Sequence, residues 1–209
     1  DNIIFDTTDE KLAKENHLHS HGGFGPVVIC VGEEQVLKGI DKYLEGKETE
    51  KEYDININPE DAFGNKDAKL IQLIPTNKFK QQNIQPMPGV QVNIDGMVGI
   101  VKTVSGGRTL VDFNHPLAGK ELSYHVKANK KVVDDKEKLR GHIKLSLGLD
   151  DFSSEITEGN AKITIKIEIP NEVKEQLNQK IIELIPNIKK VEFIVEKEGD
   201  TFAEPVWVW

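Results

Sequence analysis

Over residues 53–57, apolar Tyr53, Ile55 and Ile57 alternate with polar Asp54 and Asn56, a period of two that predicts a strand with one buried face. Upstream, "NIIFD" and "GPVVICVG" read as strands, and "TTDEKLAKEN" reads as a short helix capped by Thr8 or Asp9. "EEQVLKGIDKYLEG" reads as a helix closed by Gly46, and "PEDAFG" as a turn. From about Asn65 the texture changes to short β-like runs, "VQVNIDG", "MVGIVKTVSGG" and "RTLVDFN". Asp95-Gly96 and Gly106-Gly107 separate them, pairs that suit tight hairpin turns. "HPLAGKELSYHVKANKKVVDD" then turns and gives a strand with Leu122, Tyr124 and Val126 on one face.

Beyond Asp134 the pattern changes again. Leu139, Ile143 and Leu147 fall at helical spacing, and "EITEGNAKITIKIEIP" reads as a hairpin with Ile163, Ile165, Ile167 and Ile169 on one strand face. Asn171 is placed to cap a helix whose Val173, Leu177, Ile181 and Leu184 form an apolar stripe, and "KKVEFIVEKEG" supplies a further alternating strand. Residues 134–209 therefore predict an α+β domain.

Composition narrows the function classes. The 209 residues are 37% hydrophobic and 30% charged, as in an ordinary globular protein, and no apolar run is long enough to span a bilayer. A net charge of −8 would be repelled by a phosphate backbone, which argues against nucleic acid as a partner. The single cysteine, Cys30, sits in an apolar run and reads as a structural thiol; with no visible signal peptide, the expectation is a cytoplasmic protein.

The search for chemistry is mostly negative. "SGGRT" lacks the lysine and helix of a phosphate-binding loop, and no serine lies in a nucleophile elbow. Asp112 and His115 in "VDFNHPLAGKEL" invite an acid/base reading, but Asn-His-Pro suits a turn better. His17, His19 and His21 form a possible metal site, yet no cysteine or evident fourth ligand lies near, so a solvated loop is the preferred reading. By pattern alone Val36, Leu37 and Ile40 are an apolar cluster at a helix start and Phe63 a core aromatic. An apolar-pocket enzyme and a binding module both remain open at this point.

Four blocks occur in the order "FDTT", "VGEEQVLKGID", "INPEDAFG" and "NHPLAGKELSYHV". Together they resemble the FK506-binding-protein (FKBP) type of peptidyl-prolyl isomerase, in particular its SlyD-like branch and longer archaeal relatives. The resemblance covers residues 5 to about 133. It implies an α+β fold with an antiparallel half-barrel around a short helix, built from residues 1–64 and 117–133. A mainly β chaperone domain inserted in the flap would occupy residues 65–116, and the C-terminal α+β domain 134–209, which in the long members goes with dimer formation. The family's first strand, carrying a pocket aromatic, would precede Asp1.

The resemblance places Phe5 on the aromatic wall, Asp6 as the pocket carboxylate, and Val36, Leu37 and Ile40 on the pocket floor, where the Leu37 N–H would hold the substrate carbonyl. Phe63 falls at a position that is often tyrosine, Tyr124 where phenylalanine is common, and Ile40 where some members carry tryptophan. The implied activity is cis-trans isomerisation of X-Pro bonds in unfolded or partly folded chains, without a cofactor. Ile71, Leu73, Ile74, Phe79, Ile84, Met87, Met97 and Val98 of the insert would bind those chains, some of them instead forming its core. A non-catalytic holdase or dimeric scaffold and a histidine-cluster metal protein are the competing expectations. The tail "TFAEPVWVW" reads first as an edge strand, otherwise as an exposed tail or a mimic of a prolyl substrate.

Overall fold

The computed structural model describes residues 3–19, 23–81 and 83–196; His21 and the "EPVWVW" tail lie outside them. The elements in chain order are α1 (Glu10–Glu15), α2 (Lys38–Leu44), β1 (Lys51–Ile57), β2 (Ile71–Pro75), α3 (Thr76–Gln81), β3 (Gln91–Ile94), β4 (Met97–Ser105), β5 (Arg108–Asp112) and β6 (Leu122–Ala128). They continue with α4 (Asp135–Leu147), β7 (Phe152–Thr157), β8 (Asn160–Ile165), α5 (Asn171–Leu184) and β9 (Lys190–Val195). The architecture is α+β, and the chain divides into two compact units, residues 36–47 with 52–127, and the remainder.

In the unit of residues 36–47 and 52–127, β1 and β6 pair as a two-stranded sheet. Their outer faces carry the cross-strand contacts Ser123–Asn56 at 2.7 Å, His125–Asp54 at 2.9 Å and Lys127–Glu52 at 3.2 Å, a register that makes the pair antiparallel. Hydrogen bonding to Asp54 holds the exposed His125 imidazole above its ordinary pKa. The alternate residues turn inward, so Ile40 of α2 is buried with Ile55 and Ile57 of β1, and Tyr124 and Val126 of β6 pack against them.

The insert is a four-stranded antiparallel sheet in the order β2-β5-β4-β3. Both hairpin turns follow the sequence expectation: Asp95 and Gly96 have φ 51° and 84°, and Gly106 and Gly107 56° and 77°, the left-handed backbone such turns require. Ile74, Phe79, Val92, Ile94, Val101 and Val111 form a core of its own. Its two connections are clasped at Asn114, a buried side chain whose Oδ1 accepts from the Asp67 N–H at 2.8 Å. The Asn114 Nδ2 donates to the Asp67 carbonyl at 3.0 Å and to Asp112 Oδ1 at 2.8 Å. Lys66 closes the group with an ammonium 3.3 Å from Asp112 Oδ2. Burial raises the cost of charging Asp112, but the bonds from Asn114 and the Lys66 ammonium prevail and hold its carboxyl below the usual carboxylate range.

In the other unit, Asp9 caps α1, its side chain accepting from the Leu12 N–H at 2.8 Å. The two upstream segments expected as strands, "NIIFD" and "GPVVICVG", join no sheet among the described residues. The second docks on α4 instead. A Cβ at Gly141 would fall 2.5 Å from the Val28 Cβ, so only glycine permits this approach. Gln35 Oε1 accepts from the Cys30 N–H at 2.7 Å while its Nε2 lies 3.2 Å from His142 Nδ1, and Glu33 pairs with Lys180 of α5. The docking is partial: Val28 lies against Gly141, while Val27 and Val31 of the same run stay 49% and 42% exposed. Burial and the nearby Lys180 push the His142 imidazole below its ordinary pKa, against the opposing pull of Glu33.

Residues beyond 134 form a three-stranded sheet, β7-β8-β9, with an antiparallel hairpin and a parallel β8–β9 pair. Asp134 caps α4 and Gly148, at φ 66°, ends it. Leu139 and Ile143 of α4, Ile163 and Ile165 of β8, and Leu177 and Ile181 of α5 share one core. Two details depart from expectation. β8 ends at Ile165, which releases Ile167 to 46% exposure while Ile169 turns back into the core. Asn171 is the first helical residue of α5, behind Pro170, and not its cap.

Removing the Asn114 side chain leaves the buried Asp112 carboxylate and the part-buried Asp67 N–H without their partner, so Asn114→Ala should cost about 1–3 kcal/mol, measured as a lower urea midpoint at unchanged slope. Because the folded Asp112 carboxyl ionises below its unfolded value, the clasp's stabilisation is complete above about pH 4 and is lost as the pH falls through the folded value. Asp112→Asn should flatten that acid limb; an acid profile identical to the parent would refute the assignment.

Candidate functional site

Helix α2 is shorter than its sequence pattern, and the shortening shapes the site. Leu37 keeps an extended ψ of 134° as the residue just before the helix, so the chain turns at the "VLKGI" segment and its first helical bonds are those the Leu37 carbonyl accepts from the Ile40 and Asp41 N–H groups, at 2.8 and 3.0 Å. Gly39 makes the turn possible against β1, since a Cβ there would lie 2.3 Å from a Ile57 side-chain carbon. The helix is tied to the following turn by Lys42, whose ammonium donates to Asp61 Oδ1 at 2.8 Å; that bond also draws the Asp61 carboxyl below its ordinary pKa.

Four of the residues expected in the pocket meet here. Val36, Leu37 and Ile40 from the start of α2 and Tyr124 from β6 pack in one apolar cluster on Ile55 and Ile57. The pattern also brings in Tyr43, Tyr53, Ala62 and Val126, which sequence reasoning did not assign to the site. Alternation along β1 and β6 was the signal that could have found Tyr53 and Val126. Tyr43 and Tyr53 meet edge to face at 5.9 Å, with the Lys47 ammonium 4.4 Å from the Tyr43 ring.

Phe63 follows Ala62 out of the Pro59–Asp61 turn and stacks on His115, with ring centroids 4.1 Å apart and planes 9° from parallel. Asp112 and His115 have separate duties: Asp112 belongs to the Asn114 clasp, while His115 Nδ1 accepts from the Leu117 N–H at 3.2 Å, as a turn residue does. Half-buried Phe5 and exposed Asp6 belong to the other compact unit. His17 and His19 are exposed there, and no group of metal-ligating residues occurs among the described residues.

The insert divides its eight candidates by burial. Ile74 and Phe79 are buried and Ile84 packs against them, so these build the core. Ile71, Leu73, Met87, Met97 and Val98 are exposed. Leu73 sits opposite Leu110 across the β2–β5 pair, which sets Ile71, Leu73 and Leu110 on one face of the sheet, away from Ile74.

The pattern of the FKBP-type peptidyl-prolyl cis-trans isomerase family matches residues 9–85, and that of the "FKBP26, IF domain" family matches residues 72–117. A short-type peptidyl-prolyl cis-trans isomerase of Methanocaldococcus jannaschii is 32% identical over 128 residues, 61% of this chain and 82% of the relative. A probable FKBP-type 16 kDa isomerase of Pseudomonas fluorescens is 33% identical over 48% of this chain and 69% of the relative. The SlyD isomerase of Haemophilus influenzae is 28% identical over 48% of this chain and 55% of its own length.

Gly39→Ala should be the most damaging single-methyl change near the site, costing about 1–3 kcal/mol because Ile57 is locked in the core and cannot yield. Thermal unfolding of the variant checks this, and an unchanged midpoint would show that α2 has slack against β1. From the α2 turn, the β1–β6 sheet, the insert that leaves and re-enters between them, and the relatives that share them, the chain belongs to the FKBP-type peptidyl-prolyl cis-trans isomerase family.

Proposed function

We propose that this protein accelerates cis-trans exchange at X-Pro bonds of unfolded or partly folded polypeptides and holds such chains on its insert. The observation that carries this reading is the convergence of Val36, Leu37, Ile40 and Tyr124 in one apolar cluster at the start of α2, in a chain of this family. The family's pattern, and no contact, proposes Phe63, Phe5 and Asp6 as further pocket residues. Body residues 1–64 and 117–133, insert 65–116 and C-terminal domain 134–209 are the proposed division; three separate hydrophobic clusters support it between Val36 and Ala62 with Tyr124 and Val126, within the insert, and beyond Asp134, whereas residues 1–35 group with the C-terminal unit.

The chemistry needs no covalent step. Amide resonance holds the prolyl bond planar against a barrier of about 18–20 kcal/mol, so unassisted exchange takes tens of seconds or more. Resonance also places negative charge on the carbonyl oxygen. Moving that amide from water to an apolar wall disfavours the charge-separated planar form relative to the twisted one, in which resonance is lost. Apolar side chains that grip the proline ring, with the Leu37 N–H orienting the chain, thereby bind the twisted state better than the ground state. Asp6 orients peptide or pocket groups by hydrogen bonding, and no proton moves.

The exposed insert face of Ile71, Leu73 and Val98, with Met87 and Met97, supports loose capture of varied apolar segments. No helix among the described residues is long and apolar enough to cross a membrane, and the single cysteine suits a reducing cytoplasm. Exposed Ile167 and Ile182 on the C-terminal domain support self-association there.

In a proline-limited refolding assay the protein should speed the slow phase, and Leu37→Ala should lower kcat/KM about tenfold, equivalent to ~1.4 kcal/mol at the transition state. Suppressed aggregation with no acceleration would replace this reading by that of a passive holdase. Sedimentation should give a dimer that Ile182→Asp converts to monomer; a parent protein that sediments as a monomer at micromolar concentration would remove the dimer from the proposal.

A further inference from the structure

Phe63 presents a problem of orientation that its backbone does not solve. The turn that carries it is well held: the Ala62 and Gly64 N–H groups donate to the Pro59 carbonyl at 3.1 and 2.7 Å, and Lys42 ties Asp61 to α2. The Gly64 carbonyl in turn accepts from the Gly119 N–H at 2.8 Å, joining the outgoing and returning chains. These bonds fix the Cα of Phe63 but leave its ring free to rotate between staggered wells. Phe63 also falls outside the apolar cluster of Ile40, Ile55 and Ile57, among whose packed neighbours its own neighbour Ala62 is found.

What lies on the Phe63 ring is the imidazole of His115, parallel within 9° at a centroid distance of 4.1 Å, closer than the roughly 4.5–7 Å usual for aromatic pairs. His115 is itself immobilised. Its Nδ1 accepts from the Leu117 N–H at 3.2 Å and its carbonyl accepts from the Ala118 N–H at 2.9 Å. One residue earlier, Asn114 is anchored in the clasp on Asp67 and Asp112. An exposed histidine so firmly held, on a residue so placed, has no core to fill. Its structural effect is spent on the plane of the neighbouring ring.

We propose that His115 is a positioning residue of the isomerase: clamped by the turn that follows it, its imidazole holds the Phe63 ring in the plane against which the substrate proline packs. The inference rests on the proposed reading of Phe63 as a pocket residue. It makes two features of the histidine separable. Nδ1 serves the turn, and the flat ring serves Phe63.

Substitution separates them in the full-length chain. His115→Asn keeps an acceptor for the Leu117 N–H and removes the ring, whereas His115→Phe keeps a ring and removes the acceptor. With a short X-Pro peptide as substrate, His115→Asn should lower kcat/KM about two- to tenfold, the range an aromatic pair commands, at an unchanged melting midpoint. His115→Phe should stay within about twofold of the parent even where its melting midpoint falls. In a Phe63→Leu background, His115→Asn should cost nothing further, because the residue it acts through is gone. Full activity of His115→Asn beside an impaired Phe63→Leu would overturn the inference while leaving the pocket intact. So would an undiminished further loss in the double variant, which marks a role in the turn alone. Full activity of Phe63→Leu would instead remove Phe63 from the pocket, and the role of His115 with it.

Discussion

A domain inserted into another must let the chain leave and return at one place, and here that crossing is made by a single buried amide. Asn114 satisfies the N–H and the carbonyl of Asp67 on the outgoing segment and a carboxylate oxygen of Asp112 on the returning one. The buried Asn114 amide and Asp112 carboxylate would otherwise lack these partners. Because the linkers are pinned, the insert and the β1–β6 sheet can each keep a separate apolar core. The clasp also fixes the height at which the returning chain delivers His115 to Phe63 and Tyr124 to α2.

Around that crossing the energetics divide by face. On β1 and β6 the inner positions supply apolar contact to α2, and the outer positions carry a row of polar and charged cross-strand pairs. Exposed pairs of this kind stabilise little individually, so the burial of Ile40, Ile55 and Ile57 outweighs them. The insert divides differently. Its inner face is filled by Ile74, Phe79, Val101 and Val111, while Ile71 and Leu73 of the same strand remain in solvent, at a cost an ordinary surface would avoid.

How far the sequence disclosed this depended on whether the signal was local. Alternation at Tyr53, Ile55 and Ile57, the Asp95-Gly96 and Gly106-Gly107 turns, and the stripe of α5 each depend on neighbours within a few residues, and all were readable. The segment "GPVVICVG" has the pattern of a strand, because an apolar run carries no record of what it packs on. Its partner is α4, made accessible by the missing side chain of Gly141 more than a hundred positions later. Val36, Leu37, Ile40 and Tyr124 were placed together only by resemblance to a family; periodicity described them as core. The stack of Phe63 on His115 has no local signal, since the whole insert lies between the two residues in the chain.

That last dependence bears on how the molecule assembles itself. Residues Glu52 and Lys127, partners across the β1–β6 sheet, are 75 positions apart in the chain, so β1 emerges from synthesis long before the strand that completes it. Closing so long a loop as free coil is slow, because entropy must be lost before any contact is gained. The insert, by contrast, is continuous and hairpin-rich, and its folding draws residues 67 and 114 into hydrogen-bonding contact. Once it has formed, the long loop is short-circuited and the two halves of the isomerase sheet meet as near neighbours. An insert that folds first would thereby act as an internal template for the isomerase sheet around it.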